Sequence, residues 1–389
     1  MRDQVPFDVD QIGGISEPQP LKEGNEMKLY GAIHPQVTLV MTRFIKVFVL
    51  LSTLLACPAQ AHVKWFADVH PSDAPRPIGD VLTETIFVNL FLLSVFAIYA
   101  FFWVDRWALR KALLAQLDER MKRFDISAIY VMRISVAIFF LTLGSWHWIF
   151  GSSFFLTPEL RTNAFWVPWL QLALGVFALS SRTTALTGAG VLLLYLAAVV
   201  EYGIYHLTDY MIFLGIAYFL LVSGIPSGGW RKSGFIVLYA STGLTLTWGA
   251  IEKFAYPFWT YDILRANPGM LMGLKPHTFM IVSGFVEFNL AFVLLGAASM
   301  IGRLVALGLW SVFVLAIFQF GLTDAIGHLM FIAILFVLFF RGPTDARNML
   351  VLPTKTLWVE AYFMTGLYTF AFVMICLAYY GLHHVYYGA

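Results

Sequence analysis

Long apolar runs recur along the chain and constrain its fold more than any other feature. They lie at approximately 81–104, 128–150, 165–181, 184–205, 208–225, 234–252, 278–300, 302–321, 324–340 and 357–381. A helix of about 20 apolar residues crosses the hydrocarbon core of a bilayer. Charged residues make up only 12% of the 389 residues, whereas a soluble domain has roughly 25%. The sequence therefore predicts an all-α, polytopic transmembrane helix bundle of about ten spans in a lipid bilayer.

Charge, cysteine content and motifs exclude several function classes. The formal net charge of +2 is too small to indicate nucleic acid as a partner. The two cysteines, Cys57 and Cys376, form no C-x-x-C motif that would indicate a redox or zinc site. The chain also has no P-loop, no dinucleotide fingerprint and no serine-hydrolase elbow.

The segment 41–61 has the three parts of a secretory signal peptide, within a leader that covers 1–61. A basic start, "MTRFIK", precedes the apolar "VFVLLSTLLA" and an A-x-A cleavage site at 59–61. Cleavage after Ala61 would make His62 the first residue of the mature chain and 62–80 a periplasmic segment. Acylation of Cys57 at a lipobox and an uncleaved anchor are the alternatives.

The loops between the apolar runs predict the orientation. With 62–80 outside, 81–127 forms the first transmembrane helix and a cytoplasmic loop rich in Arg and Lys. Continuing the alternation places roughly twice as many basic residues inside as outside, as the positive-inside rule requires. Arg182 and Arg303 then end helices at the cytoplasmic face, where both are interpreted as anchors that snorkel to the interface. We expect a multi-pass protein of the bacterial inner (plasma) membrane whose mature N-terminus is periplasmic.

A four-helix unit occurs twice, at 128–230 and 231–347, and the segment 348–389 adds a last transmembrane helix and a periplasmic tail. His147 in the first copy corresponds to Glu252 in the second, and Gln171 corresponds roughly to Glu287. Because each unit has an even number of helices, the copies are expected to be parallel and to be related by an axis along the membrane normal. A site is then expected between them.

Several segments of the second copy carry a family resemblance. They are "LTWGAIEKFAYP", "LLGAASMIGRLVAL", "DAIGHLMF" and "FRGPTDARN". These segments resemble the DoxX/DoxD-type membrane proteins, a four-helix family whose DoxD branch is linked to thiosulfate:quinone oxidoreductase. The resemblance covers 128–347 in two copies, and it implies quinone-linked redox chemistry.

The titratable residues cluster towards the predicted periplasmic face, where every histidine after the leader falls. Glu287 lies near the middle of its helix, where an ionisable group indicates function. Asp324 and His328 share a helix face, as residues four apart do, and His206 and Asp209 are close in sequence in the first copy. The candidate catalytic residues are Glu287, Glu252 and Asp324; the candidate cofactor-binding residues are His206, His328 and Asp209; the candidate metal ligands are His62, His70, His147, His206 and His328.

Four functions remain open at this point. One is a quinone-linked oxidoreductase, or the subunit of one that binds periplasmic or membrane partner subunits. A second is copper binding or transport, because the amine and imidazole of an N-terminal His62 could chelate copper together with a second histidine. A third is a proton-coupled transporter that uses Glu287, and a fourth is a scaffold. Copper and a quinone are accordingly the candidate cofactors.

Overall fold

A computed structural model of the chain describes residues 69–122, 128–225, 227–342, 350–352, 354 and 356–388. The predicted leader, the cleavage site and His62 lie outside the described residues.

The described chain is almost entirely helical. Its first helices are α1 (Ile78–Thr83), α2 (Thr85–Leu109), α3 (Ala112–Lys122) and α4 (Ala128–Phe150). A two-stranded antiparallel hairpin follows, β1 (Ser153–Phe154) and β2 (Arg161–Thr162). The remaining helices are α5 (Trp166–Leu179), α6 (Thr184–Tyr202), α7 (Ile204–Leu207), α8 (Met211–Ser223), α9 (Gly228–Ala255), α10 (Tyr261–Ala266), α11 (Pro276–Gly296), α12 (Ile301–Phe320), α13 (Leu322–Arg341) and α14 (Leu357–Tyr387).

Nine helical segments among the described residues are long and apolar enough to cross a membrane, with α7 and α8 together forming one of them. This confirms the predicted all-α polytopic bundle. The third apolar run, 165–181, forms only the 14-residue α5, which at 1.5 Å per residue extends about 21 Å. The prediction of about ten spans therefore counted one helix that is too short to cross the hydrocarbon core without help.

The helices form two sets with the same packing order. In the first set α4 packs on α5, α5 on α6, and α6 on α8; in the second, α9 packs on α11, α11 on α12, and α12 on α13. The sets meet where α8 packs on α9 and where α13 packs on α4. This order is what two copies of one four-helix unit would give. Helices α2 and α14 pack on each other and, mainly, on α11 and α9 of the second set.

A glycine with positive φ introduces the fourth helix of each set. Gly203 (φ 83°) separates α6 from α7, and Gly321 (φ 77°) separates α12 from α13. Residues with a Cβ rarely adopt this backbone conformation. The matching positions of the two breaks support the predicted internal repeat.

Arg303 is fully buried and does not reach the surface of the protein. Its guanidinium donates hydrogen bonds to Asp118 on α3 and to the carbonyls of Phe339, Phe340 and Arg341 at the end of α13. The last carbonyls of a helix have no partner within the helix, and lipid offers none. The interpretation of Arg303 as a snorkelling anchor is therefore wrong, whereas Arg182 is exposed.

Candidate functional site

A narrow cleft lies between the two sets of helices, at the end of the bundle where α4 ends and α11 begins. We call this end the cleft end. The first set contributes Glu159, Tyr205, His206 and Asp209, and the second contributes Trp248, Glu252 and Trp259. Val69 and Pro71 of the N-terminal segment and Tyr379 of α14 complete the lining. A site between the two copies stays a prediction, and this cleft is the candidate for it.

An imidazole–carboxylate pair forms one side of the cleft. His206 Nε2 lies 3.0 Å from Glu159 Oε1, and both side chains are almost completely buried. The Tyr210 hydroxyl donates a hydrogen bond to the other Glu159 oxygen. Glu159 lies between the hairpin strands β1 and β2, so the hairpin places its carboxylate next to His206 on α7. An imidazole beside a carboxylate is a common arrangement for general acid–base chemistry.

Two further carboxylates flank Gly249 on α9, deeper in the protein. A Cβ placed on Gly249 would lie 3.8 Å from Asp209 Oδ1 and 4.0 Å from Glu287 Oε1. Asp209 comes from the first set and Glu287 from the second, and the absence of a side chain at Gly249 leaves space for both. Lys253, one turn along α9, forms an ion pair with Glu287. The Glu287 carboxylate, predicted to be functional, is thus paired with a buried ammonium.

Aromatic rings form the opposite wall of the cleft. Trp248 packs against Tyr379 with ring centroids 4.9 Å apart, and Tyr205 lies 5.5 Å from Tyr379. Tyr256 stacks on Trp259 at 3.9 Å with nearly parallel rings. Burial raises the pKa of Tyr256 above its ordinary value, and the charge of Glu252 raises it further. Trp248, Tyr205, Tyr256 and Tyr379 are almost completely buried against one another, so this wall is a packed aromatic cluster with hydroxyl groups at the edges of its rings.

The N-terminal segment 69–77 lies against the cleft end and is held there by polar contacts. The Tyr256 hydroxyl donates to the Asp73 carbonyl oxygen at 2.9 Å. At the start of α2, Glu84 accepts hydrogen bonds from Arg76 at 2.9 Å and from His277 at 2.6 Å. Burial raises the pKa of Glu84, but the His277 and Arg76 hydrogen bonds outweigh burial and hold that pKa below the ordinary value. His70 is exposed between the lining residues Val69 and Pro71.

Two of the other predicted site residues pair with each other away from the cleft. His328 Nδ1 lies 2.9 Å from Asp324 Oδ2, and both side chains are buried. The Phe313 ring packs against His328 at 4.8 Å. The pair lies on α13, which contacts α4 and α12, and neither residue lines the cleft.

The first copy has no acid at the position that corresponds to Glu287. Gln171 there is completely buried, and its amide nitrogen donates to the carbonyls of Phe154 at 2.6 Å and Phe155 at 3.0 Å. Gln171 therefore holds the hairpin that carries Glu159. His147, half-buried, shares a 2.8 Å hydrogen bond with Ser153 of the same hairpin.

The predicted metal ligands are not brought together. His206, His328 and His147 each have a different partner. Within the part of the chain that the structure describes, no group of three His, Cys, Asp or Glu is arranged to hold a metal ion. The copper hypothesis depends on His62 and remains a prediction.

Sequence reasoning missed Glu159, Lys253 and the aromatic wall. A repeated tripeptide, Leu-Thr-Asp at 207–209 and 322–324, could have shown that Asp209 and Asp324 are equivalent. Glu159 has no such signal, because it lies in a loop between two apolar runs.

Comparison with known proteins gives no family for this chain. No protein-family model matches it, and neither the curated proteins nor the solved structures contain a significant match.

Proposed function

We propose that this chain is a quinone-linked redox protein of the membrane, or the membrane subunit of a larger oxidoreductase, and that the cleft is its quinone site. The observation that carries the proposal is the convergence of the Glu159–His206 pair with an aromatic wall at one cleft. The segments that resemble DoxX/DoxD-type proteins favour the same chemistry.

Quinone chemistry needs the groups that meet here. Reduction of a quinone takes two electrons and two protons, and each carbonyl oxygen becomes a hydroxyl. His206 and Glu159 would exchange these protons as general acid and base, and Tyr205 and Trp248 would contact the flat ring. The electrons would come from a reduced substrate or from a partner subunit in the membrane or the periplasm.

In this proposal the membrane is the bacterial inner membrane and the cleft faces the periplasm. Arg110, Lys111 and Arg120 support this orientation because they follow α2 at the end of the bundle opposite the cleft. Basic residues are enriched in cytoplasmic loops.

The test is quinone binding by the purified chain in lipid nanodiscs. We expect a short-chain benzoquinone to quench the fluorescence of Trp248 and Trp259, and we expect His206→Gln to weaken binding by about tenfold, because a hydrogen bond to a charged or polar partner contributes about 1.5 kcal/mol. His147→Gln is the matched control, since His147 bonds to the same hairpin but does not line the cleft. Absence of quenching in the wild type would refute the proposal.

The Glu287–Lys253 ion pair favours a second function, proton-coupled transport. Charged groups within membrane spans commonly mark proton pathways, and this pair lies between two helices that can cross the membrane, α9 and α11. In proteoliposomes, Glu287→Gln should abolish any substrate-dependent proton uptake. Glu201→Gln, an exposed acid at the end of α6, should leave the uptake unchanged.

A further inference from the structure

One side of the cleft is formed by segment 69–77 rather than by the helices. Val69 and Pro71 of this segment belong to the lining. Every residue of 69–77 is half-buried or exposed, and none of them lies in a helix or a strand. Segments without buried residues open locally at a low cost in free energy. The cleft is therefore bounded on this side by a part of the chain that can move.

The cleft in its present form is too narrow for a ring. The free space between its walls is about the room that one water molecule needs, and a benzoquinone ring is several times larger. On the other side, Tyr205, Trp248 and Tyr379 are almost completely buried in the core of the bundle. Closely packed side chains have little freedom to move, so segment 69–77 is the part of the lining that can make room.

Three prolines determine the conformation of this segment. Pro71, Pro75 and Pro77 each fix the backbone φ angle and lack an N–H group. A residue that precedes a proline is in addition kept out of the helical region. The segment therefore does not extend α1 towards the N-terminus, and it can leave the cleft as an extended chain without breaking a helix.

A small number of polar contacts hold the segment against the bundle. The Tyr256 hydroxyl donates to the Asp73 carbonyl oxygen at 2.9 Å, and the Trp259 indole N–H donates to the Asp73 carboxylate at 3.3 Å. The Arg76 guanidinium forms an ion pair with Glu84 at 2.9 Å, in which both side chains are partly exposed. Ion pairs between partly exposed groups each contribute little, so a few substitutions are enough to loosen the segment.

We propose that segment 69–77 acts as a strap that closes the cleft, and that a quinone ring enters only after this segment has moved away. In the closed form Val69 and Pro71 complete the lining, and in the open form the Glu159–His206 pair becomes accessible. The step is a change of conformation, in which no covalent bond forms or breaks. As a gate for quinone the segment rests on the proposed function; as a closure of the cleft it can be tested without any ligand.

Quinone binding should become tighter when the segment is loosened, and this result separates a gate from a purely structural contact. If only the open form binds, the measured Kd is the Kd of the open form divided by the fraction of molecules that are open. A larger open fraction then lowers the measured Kd. Loss of contacts that merely support the cleft would instead weaken binding.

The double variant Asp73→Ala/Arg76→Met loosens the segment without changing a lining residue. It removes the carboxylate that accepts from Trp259 and the guanidinium that pairs with Glu84, and it leaves the backbone groups of both residues in place. For the protein in nanodiscs, we expect the Kd of a short-chain benzoquinone, measured by tryptophan quenching, to fall about tenfold, because two contacts to charged groups are lost.

The matched control is Asp262→Ala/Arg265→Met, which makes the same two kinds of substitution on α10. Arg265 Nη1 lies 3.1 Å from Asp262 Oδ1, and both side chains are exposed. An exposed ion pair contributes little to stability, so we expect the Kd of the control to stay within about twofold of the wild-type value.

Cysteine labelling follows the segment in the absence of quinone. The reporter is Val69→Cys in a chain that also carries Cys57→Ser and Cys376→Ser, so that a water-soluble maleimide has a single target. The lining of the cleft shields this thiol in the closed form, and the labelling rate therefore follows the open fraction. We expect the rate to rise about tenfold in Asp73→Ala/Arg76→Met and to stay unchanged in the control.

Two results would overturn the proposal. One is an unchanged labelling rate in the double variant, and the other is faster labelling with a Kd for quinone that does not fall. If labelling becomes faster but neither the wild type nor the double variant binds a quinone, the proposed function fails and closure of the cleft by segment 69–77 stands.

Discussion

Replacement of Arg303, at the end of the bundle opposite the cleft, by methionine should strongly destabilise the protein. Arg303 donates at 2.7 Å to Asp118 Oδ1, at 2.7 Å to the Phe339 carbonyl oxygen and at 2.6 Å to the Phe340 carbonyl oxygen. Methionine fills a similar volume but donates no hydrogen bond.

The expected loss in the free energy of unfolding follows from the acceptor groups that lose their hydrogen-bond donor. A buried acceptor left without a partner costs about 1–3 kcal/mol, and removal of one member of a buried ion pair costs about 3–5 kcal/mol. The Asp118 side chain is 11% exposed and recovers some hydration, so we expect Arg303→Met to lower the free energy of unfolding by about 3–5 kcal/mol rather than by the sum of these terms. In Arg303→Met/Asp118→Asn the carboxylate is no longer charged, and about 1–2 kcal/mol should return.

Reversible unfolding in mixed detergent micelles, followed by tryptophan fluorescence, provides the assay. Arg182→Met is the matched control because Arg182 is the corresponding residue of the first copy and is exposed. We expect that variant to change the free energy of unfolding by less than about 0.5 kcal/mol. Equal effects of the two substitutions would refute the assignment of Arg303 as the hydrogen-bond donor to the last carbonyl groups of α13.

Three further predictions concern other parts of the chain. Glu84 has a lowered pKa in the folded protein, so its contribution to docking of segment 69–77 is complete above the ordinary value of 4.5 and is lost as the pH falls through the lowered value. Hydrogen exchange in this segment should therefore become faster at acid pH in the wild type. In Glu84→Gln the exchange should be faster already at pH 7 and should depend less on pH. Gln171→Leu should cost about 2–4 kcal/mol, because two carbonyls of the hairpin lose their donor, and a thermal melt that matches the wild type would contradict this. The copper hypothesis predicts one copper ion per mature chain that is lost in His62→Ala, and a metal-free wild type, or an N-terminal sequence that does not start at His62, would exclude that site.

Apolar length predicted the class of the fold and the positions of most helices. The same measure failed for α5, because the run at 165–181 contains Pro168 in its first turn and Ser180 at its end, and apolar composition does not specify where a helix begins or stops. The amphipathic helix α3 was not predicted, because its many charged residues are also typical of a loop between two spans.

The site was only partly predictable, because its partners are far apart in the sequence. His206, Asp209, Glu252 and Glu287 stand out as titratable residues in or beside apolar runs, and the structure places all four at or just beneath the cleft. Glu159 contacts His206 because it lies in a short hairpin, and no periodic sequence pattern predicts a hairpin of so few residues. Asp324 and His328 pair with each other away from the cleft, and spacing alone could not distinguish such a pair from a site.

The contribution of α14 to the cleft has a consequence for biosynthesis. Tyr379 lies in a helix that follows both four-helix units in the chain, so the ribosome and the insertion machinery release it after all other lining residues are in the membrane. A nascent chain that has inserted both units has one wall of its cleft open to lipid until α14 docks against α2 and α9. The order of synthesis therefore completes this cleft only after both four-helix units have been made, and any extension fused after α14 would emerge beside it.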